Sequence, residues 1–321
     1  MSVSCKDELL LQLSWIPLIS VLGLIVLLRH LVSFTRWVTI TFLRAPKDLR
    51  KCYGSWAIVT GCTDGTGRAF AFKLAQRGLN LILVSRNRDK LEQLSEELLA
   101  VNENLQVRIL ALDFAGDISD GVREIGEMAK ELDVGVLINN VGVTYPMARL
   151  FHEVEDEVWR SVVRVNVEGT VRVTRAVIPA MFQRGRGAVV SIGSGGAIVS
   201  PSNPLSAIYA ATKAFVDQFS RSLHVEYKNH GIDVQCQIPL YVATKMASMV
   251  VNINKPSLFV PSPENYAEAA IRRIGYEARC MPYWSHSVQW FFARLAPEGF
   301  LDSWSLKRGI KRRARSPPLN E

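Results

Sequence analysis

The chain has 321 residues, 48% of them hydrophobic and 21% charged, with a formal net charge of +8. That length fits one large domain or two modest ones, and the apolar content excludes a wholly disordered chain. The five cysteines stand far apart, with no Cys-x-x-Cys pair and no histidine at ligand spacing, which excludes a sequence-readable zinc site and suits a reducing compartment. The positive charge is concentrated: residues 29–51 carry a net +5 and residues 302–321 a net +4, so the remainder is close to neutral. Basic flanks beside an apolar segment suit anionic membrane lipid, and no nucleic-acid partner is expected.

The first element in chain order is residues 9–28, twenty residues without a formal charge. As a helix they span about 30 Å, the thickness of a bilayer core, and Pro17 and Gly23 are tolerated in such a helix. A cleaved signal peptide is the alternative. Against it, the apolar stretch is long, Asp7 and Glu8 stand at its start, and Arg29 and His30 follow where a small-residue cleavage site belongs. The charge on the C-terminal side places residues 29 onward in the cytoplasm. A second apolar stretch, residues 31–43, is interrupted by Arg36 and reads as an interfacial helix with Trp37 at headgroup level. Residues 1–51 are thus expected to be a membrane anchor.

From Trp56 onward, short β-branched runs alternate with helical stretches. Strands are predicted at 56–60, 79–84, 107–112, 134–138, 188–192 and 232–238, and helices at 68–77, 89–101, 156–184 and 207–228. Apolar, barely alternating strands separated by helices indicate an α/β fold: a Rossmann-type doubly wound parallel sheet, filling residues 52–280. Residues 281–321 read as an aromatic, basic C-terminal extension with only loose periodicity.

Directly after the first strand stands Thr60-Gly61-Cys62-Thr63-Asp64-Gly65-Thr66-Gly67, followed by a helix. Glycines in a strand–turn–helix allow the tight turn and the close approach of a pyrophosphate to N–H groups at the helix start. Gly61, Thr63, Asp64, Gly65, Thr66 and Gly67 are therefore candidate cofactor contacts. The second strand ends at Val84-Ser85-Arg86, where an NAD enzyme offers a carboxylate to the ribose 2′-hydroxyl. A guanidinium there suits a 2′-phosphate and favours NADPH. Asp113, just past the third strand, either reaches the adenine side or caps the next helix.

Tyr-x-x-x-Lys occurs twice, at Tyr209–Lys213 and Tyr241–Lys245. Tyr209 and Lys213 share a helix face at spacing four, after a strand and a small-residue loop. Tyr241 follows Pro239 in a loop, where that spacing fixes no geometry, so Tyr209 is the chemical candidate. A phenol near pKa 10 needs a neighbouring ammonium to lower it, and Lys213 is placed to do so. Ser194 is placed to hydrogen-bond a substrate carbonyl on which hydride attack builds alkoxide charge. Asn166, inside a helix it does not favour, either holds a water relaying protons to Lys213 or is a satisfied buried amide. No metal site is expected.

Together the glycine turn, Asn139-Asn140-Val141-Gly142, Asn166, Ser194 and Tyr209–Lys213 resemble the short-chain dehydrogenase/reductase family, from Tyr53 to about Gly275. The longer strings YGSWAIVTG, GLNLILVSRN, DVGVLINNVGVTYP and GIDVQCQIPLYVATKM are similar to its membrane-bound very-long-chain 3-oxoacyl-CoA reductases, above all the plant β-ketoacyl reductases of the fatty acid elongase, and to their 17β-hydroxysteroid dehydrogenase relatives. Four expectations come from this resemblance. The reaction is NADPH-dependent reduction of very-long-chain 3-oxoacyl-CoA. The location is the endoplasmic reticulum membrane, facing the cytosol. The partners are other elongase subunits and a second copy paired through the Tyr–Lys helix. Asn140, Val242 and Thr244 join the cofactor set. A 17β-type dehydrogenase and a catalytically weak, scaffold-like paralogue are the alternatives.

The chain departs from the family pattern at Thr66, Cys62, Val141 and Leu240. It also places Ser194 fifteen residues before Tyr209, so the loop at 198–204 must bulge, with Ser191 as the fallback for Ser194.

Overall fold

A computed structural model describes residues 5–145, 147–251, 253 and 255–314; Arg315 of the basic flank lies outside them. Helix α1 (Cys5–Val38) runs into one π-helical turn, Thr39–Leu43. Its stretch Trp15–Leu43 is 29 residues, long and apolar enough to cross a membrane. The expected break near residue 30 is absent: the stretch predicted as a separate interfacial helix continues the first. Arginine is a good helix former, so Arg29 and Arg36 carry the helix on. Phe34, Trp37 and Phe42 form a chain of ring contacts at its end.

Residues from Pro46 onward form a second unit. Its elements in order are α2 (Leu49–Cys52), β1 (Trp56–Thr60), α3 (Gly65–Gln76), β2 (Asn80–Ser85), α4 (Arg88–Val101), β3 (Val107–Ala111), α5 (Ser119–Glu131) and β4 (Val134–Asn139). There follow α6 (Asp156–Val163), α7 (Gly169–Arg184), β5 (Gly187–Ile192), α8 (Gly195–Ile198), α9 (Ala207–Tyr227), β6 (Ile232–Gln237), α10 (Lys245–Val251) and α11 (Pro263–Ile271). The chain closes with β7 (Arg279–Cys280), α12 (Trp284–Ala293) and α13 (Glu298–Arg313). The strands form one parallel sheet in the order β3-β2-β1-β4-β5-β6-β7. The order reverses between β1 and β4, which opens a crevice at their C-terminal ends.

Each central strand is buried on both faces, and alternate residues sort into two cores. Ala57, Val59, Leu81, Leu83, Val136 and Ile138 pack with α3, α4 and α11. Ile58, Ile82, Val84, Leu137 and Val189 pack with α5 and α7. This is the physical reason that the strands read as continuous apolar runs. The short β7 escaped the sequence reading because two residues carry no periodicity.

The predicted long helix 156–184 contains one π-helical turn, Arg164–Glu168, which joins α6 to α7 and holds Asn166. At the opposite end of the sheet, the Tyr53 hydroxyl donates to Asp233, and Lys47 donates to both at 2.9 and 3.0 Å. Burial and the Asp233 carboxylate push the Tyr53 phenol far above its ordinary pKa. This cluster ties the start of the second unit to β6.

The C-terminal extension is helical over Trp284–Ala293 and Glu298–Arg313. His286 in α12 is fully buried and clasps the loop after β6 from two sides. Its Nδ1 accepts the Leu240 N–H at 3.2 Å and its Nε2 donates to the Tyr241 carbonyl at 3.1 Å, which fixes a neutral imidazole. Burial depresses its pKa from 6.5 to about 4, against the Tyr241 carbonyl. Because the folded pKa is the lower one, the unfolded chain takes up the proton first. Stability is therefore complete above pH 6.5 and falls between pH 6.5 and about 4, by about 3 kcal/mol in all. Thermal unfolding of detergent-solubilised protein across that range should show this acid limb, and His286→Gln should flatten it; an unchanged limb would remove His286 as its source.

Candidate active site

The site lies at the C-terminal ends of β1, β4 and β5. Its first part is the glycine turn. Gly61 sits at φ +64 and Gly65 at φ +53, in the left-handed region that only glycine takes at low cost. A Cβ on Gly67 would stand 2.1 Å from the Gly61 carbonyl oxygen, so the turn admits no side chain there. The Asn140 amide braces this turn, donating to the Thr60 and Gly61 carbonyls at 3.1 and 3.0 Å and accepting the Thr66 hydroxyl at 2.8 Å. Both of its amide hydrogens are thus spent on the turn itself. The same bond absorbs Thr66, one of the departures from the family pattern. Cys62 points away from the turn into the core, and burial pushes its thiol up to about 12, so it stays protonated and inert.

Asp64 caps α3 through the Gly65 N–H at 2.8 Å and meets Lys245 at 2.7 Å. Burial pushes its carboxyl up, but the Lys245 ammonium and the Gly65 N–H outweigh that and leave it below its ordinary value. Thr63 Oγ1 lies 3.0 Å from Ser85 Oγ, so the turn is linked to the end of β2. Arg86, next in the chain, is exposed and has no ion-pair partner among the described residues. Asp113 is exposed past β3 and accepts the Ala115 N–H at 3.0 Å, a local turn rather than the cap of α5. Val242 is buried, and Thr244 stands across the crevice from Gly65, where a Cβ on that glycine would meet its methyl at 3.2 Å.

The second part is carried by α9. Tyr209 is half-buried and Lys213 buried on one face of that helix. Lys213 Nζ donates to the Ile192 carbonyl at 2.8 Å and lies beside Gly142, where a Cβ would come within 3.2 Å of it. Burial lowers its pKa to about 8, so the ammonium is held with little compensation. Tyr209 departs from expectation. Burial raises its phenol, the Ser194 hydroxyl pulls it down, and the Tyr241 phenol raises it further. The lowering expected from Lys213 is not present in this arrangement. Ser194 caps α8, accepting the Gly196 N–H at 3.2 Å. Ser191, the fallback, is buried within β5 and is bonded by Asn139 at 3.5 Å, away from Tyr209.

Asn166 is hydrogen-bonded within the protein at both ends of its amide. It accepts the Val143 N–H at 2.8 Å and donates to the Val143 carbonyl at 2.9 Å and to Thr212 Oγ1 at 3.0 Å. Thr212 in turn donates to the Tyr209 carbonyl at 2.8 Å. With both amide hydrogens used, the side chain has none for a water; it fixes the start of α9 against the loop after β4. The π-helical turn that aims it is a feature of functional sites that hydrophobic periodicity does not reveal. Sequence reasoning also set Tyr241 aside, yet the structure brings it to Tyr209. Among the described residues no group of His, Cys, Asp and Glu stands at metal-binding spacing.

A parallel doubly wound sheet with a glycine turn at its switch point, and a Ser–Tyr–Lys set beside it, defines a nicotinamide-nucleotide oxidoreductase. The sequence profile of the short chain dehydrogenase family matches residues 55–254, and the chain belongs to that family. It is 54% identical to a very-long-chain 3-oxoacyl-CoA reductase-like protein of Arabidopsis thaliana over 92% of this chain and 94% of that one. It is 40% identical to the human inactive hydroxysteroid dehydrogenase-like protein 1, over 88% of this chain and 86% of that one. Among solved structures, a short-chain dehydrogenase from Sphingobium yanoikuyae in complex with NADPH superposes with a TM-score of 0.64 at 26% identity, covering 83% of this chain and 99% of that one.

Proposed function

We propose that the protein is an NADPH-dependent reductase of very-long-chain 3-oxoacyl-CoA, working in fatty acid elongation at the cytosolic face of the endoplasmic reticulum membrane. The likeness to the Arabidopsis reductase-like protein carries this reading, because it covers 92% of this chain and 94% of that one. The apolar α1 supplies the anchor, and the basic residues after it favour a cytosolic domain. Membrane lipid, other elongase subunits and a second copy are the proposed partners.

The cradle fits a dinucleotide. Gly61 and Gly67 leave the backbone bare, the first N–H groups of α3 face the turn, and Arg86 offers a guanidinium for a 2′-phosphate. Asp113, Val242 and Thr244 are the remaining proposed cofactor contacts. Lys213, a buried ammonium bonded to one carbonyl, suits ribose hydroxyls. Bound NADPH supplies the hydride. Ser194 and Tyr209 then hold the substrate ketone between two hydroxyls, and Tyr209 gives the proton to the forming alkoxide. Asn166 positions α9 for this. Arg86→Asp should invert the cofactor preference, weakening NADPH at least about tenfold while NADH is retained; unchanged NADPH affinity in a titration would remove Arg86 from the site.

The test is NADPH oxidation by detergent-solubilised protein with a long-chain 3-oxoacyl-CoA and, separately, a 17-ketosteroid. Loss of NADPH with the acyl-CoA alone supports the reductase; loss with the steroid alone replaces it by a steroid dehydrogenase. The likeness to the human inactive protein favours a second reading, a scaffold-like paralogue. Binding of NADPH without turnover of either substrate is its signature.

A further inference from the structure

We propose that Tyr241 is a specificity-determining residue whose hydroxyl donates to a second carbonyl of the substrate, and that Arg308 of α13 is the positioning residue that aims it. This rests on the reading above, in which the second carbonyl is the thioester of a 3-oxoacyl-CoA.

Four observations carry the proposal. First, the loop that carries Tyr241 packs on the turn after Ser194: the Gly195 N–H donates to the Pro239 carbonyl at 2.8 Å, and a Cβ on Gly195 would stand 2.2 Å from the Leu240 side chain, which leaves Tyr241 near enough to Tyr209 to raise its phenol. Second, Tyr241 is held at both ends by the C-terminal extension. His286 of α12 fixes its backbone, and Arg308 Nη2 donates to its hydroxyl oxygen at 2.5 Å. The guanidinium lies over both the Tyr241 and Trp304 rings, 5.3 and 4.4 Å from their centroids. Third, the direction of that bond matters. With the phenol oxygen accepting from arginine, its own proton is left to donate. Fourth, α13 is seated by polar contacts along the stripe that faces the site. Asp302 takes the Ser202 hydroxyl at 2.5 Å, Ser305 lies 2.8 Å from Ser200, Arg312 reaches Ser206 at 3.4 Å, and Arg313 grips Glu153 through two bonds of 2.6 Å. The stretch between Ser194 and Tyr209 that is longer than the family norm is thereby clamped. Leu205 in it adopts φ +60, a strained conformation for a branched side chain, against Gly309 of α13.

The chemistry follows. A ketone needs one pair of donors, and Ser194 and Tyr209 provide it. A donor on a neighbouring tyrosine, fixed by two separate helices, has a use when the substrate carries a second acceptor close to the first. A 3-oxoacyl thioester carries one two carbons away, whereas a 17-ketosteroid has no such neighbour. Tyr241 therefore selects for the former.

The experiment measures kcat and KM for 3-oxopalmitoyl-CoA and for estrone with wild type, Tyr241→Phe, Arg308→Ala and Arg308→Lys, with NADPH affinity as the check on folding. Tyr241→Phe and Arg308→Ala should each raise KM for the acyl-CoA about tenfold, the worth of one hydrogen bond, with a smaller change in kcat. The ratio of kcat/KM for the acyl-CoA to that for the steroid should fall by the same factor. Arg308→Lys should restore part of the loss, and the double variant should be no worse than Tyr241→Phe. An unchanged KM in Tyr241→Phe, or equal losses on both substrates, would overturn the proposal. If wild type does not reduce the acyl-CoA at all, the functional reading itself falls and Tyr241 loses its assigned acceptor with it.

Discussion

Tyr209→Phe should lower kcat by at least about a thousandfold while NADPH affinity stays within about twofold. The variant removes a single oxygen from a half-buried ring whose burial has already raised the phenol above its ordinary value. A phenol so raised is a firm proton holder until an alkoxide forms beside it, and delivery in the transition state is worth ~10²–10⁴. The oxyanion contribution of the same hydroxyl adds to that. The proposed cofactor cradle is built from other residues, chiefly the glycine turn and Lys213, so binding should survive. Single-turnover measurement with fluorescence titration of NADPH separates the two quantities. Turnover that persists in the phenylalanine variant would disqualify Tyr209 as the acid.

Asp217→Ala should destabilise the second unit by about 3–5 kcal/mol. Asp217 lies on α9 two turns beyond Tyr209, is almost entirely buried, and forms a two-pronged ion pair with Arg279 of β7. The pairing raises the arginine pKa, the carboxylate hydrogen bond outweighing partial burial. Removing the carboxylate strands a guanidinium against the sheet edge, which is costlier than the pair is worth. Asp217→Leu with Arg279→Met should recover most of the loss, since two apolar groups need no partner. Chemical denaturation of the detergent-solubilised protein, read by tryptophan fluorescence, gives both numbers. A single variant within about 1 kcal/mol of wild type would show that the pair contributes little.

The strand–helix order was legible because each central strand is apolar on both faces and the first helices begin where a turn residue stands, as at Asp64 before α3 and Asn87 before α4. The glycine turn was equally plain, since Gly67 is dictated by a contact of backbone on backbone. Side-chain assignments were harder. Asn140 and Asn166 were recognisable as polar residues in apolar surroundings, yet whether such an amide faces a ligand or the protein depends on partners many residues away, here Thr66 and Thr212. The state of Tyr209 is hidden for a related reason: spacing on a helix places Lys213 on the same face but says nothing of how deep the phenol is buried. Tyr241 was set aside because its loop has no periodicity, and the two residues that fix it, His286 and Arg308, lie in a region whose pattern is too weak to place.

The order in which the chain supplies its parts has a consequence for how such a protein diverges. The turn and its brace are complete by Asn140, and the helix that carries Tyr209 and Lys213 ends at Tyr227, both well before the last forty residues. Gly67 tolerates no side chain, whereas much of α13 faces outward and accepts most residues. Drift is therefore filtered severely in the first half and loosely at the C-terminus. A lineage can exchange what it accepts by rewriting one terminal helix, and can lose that choice by the same route, while the machinery that handles the nucleotide is inherited intact.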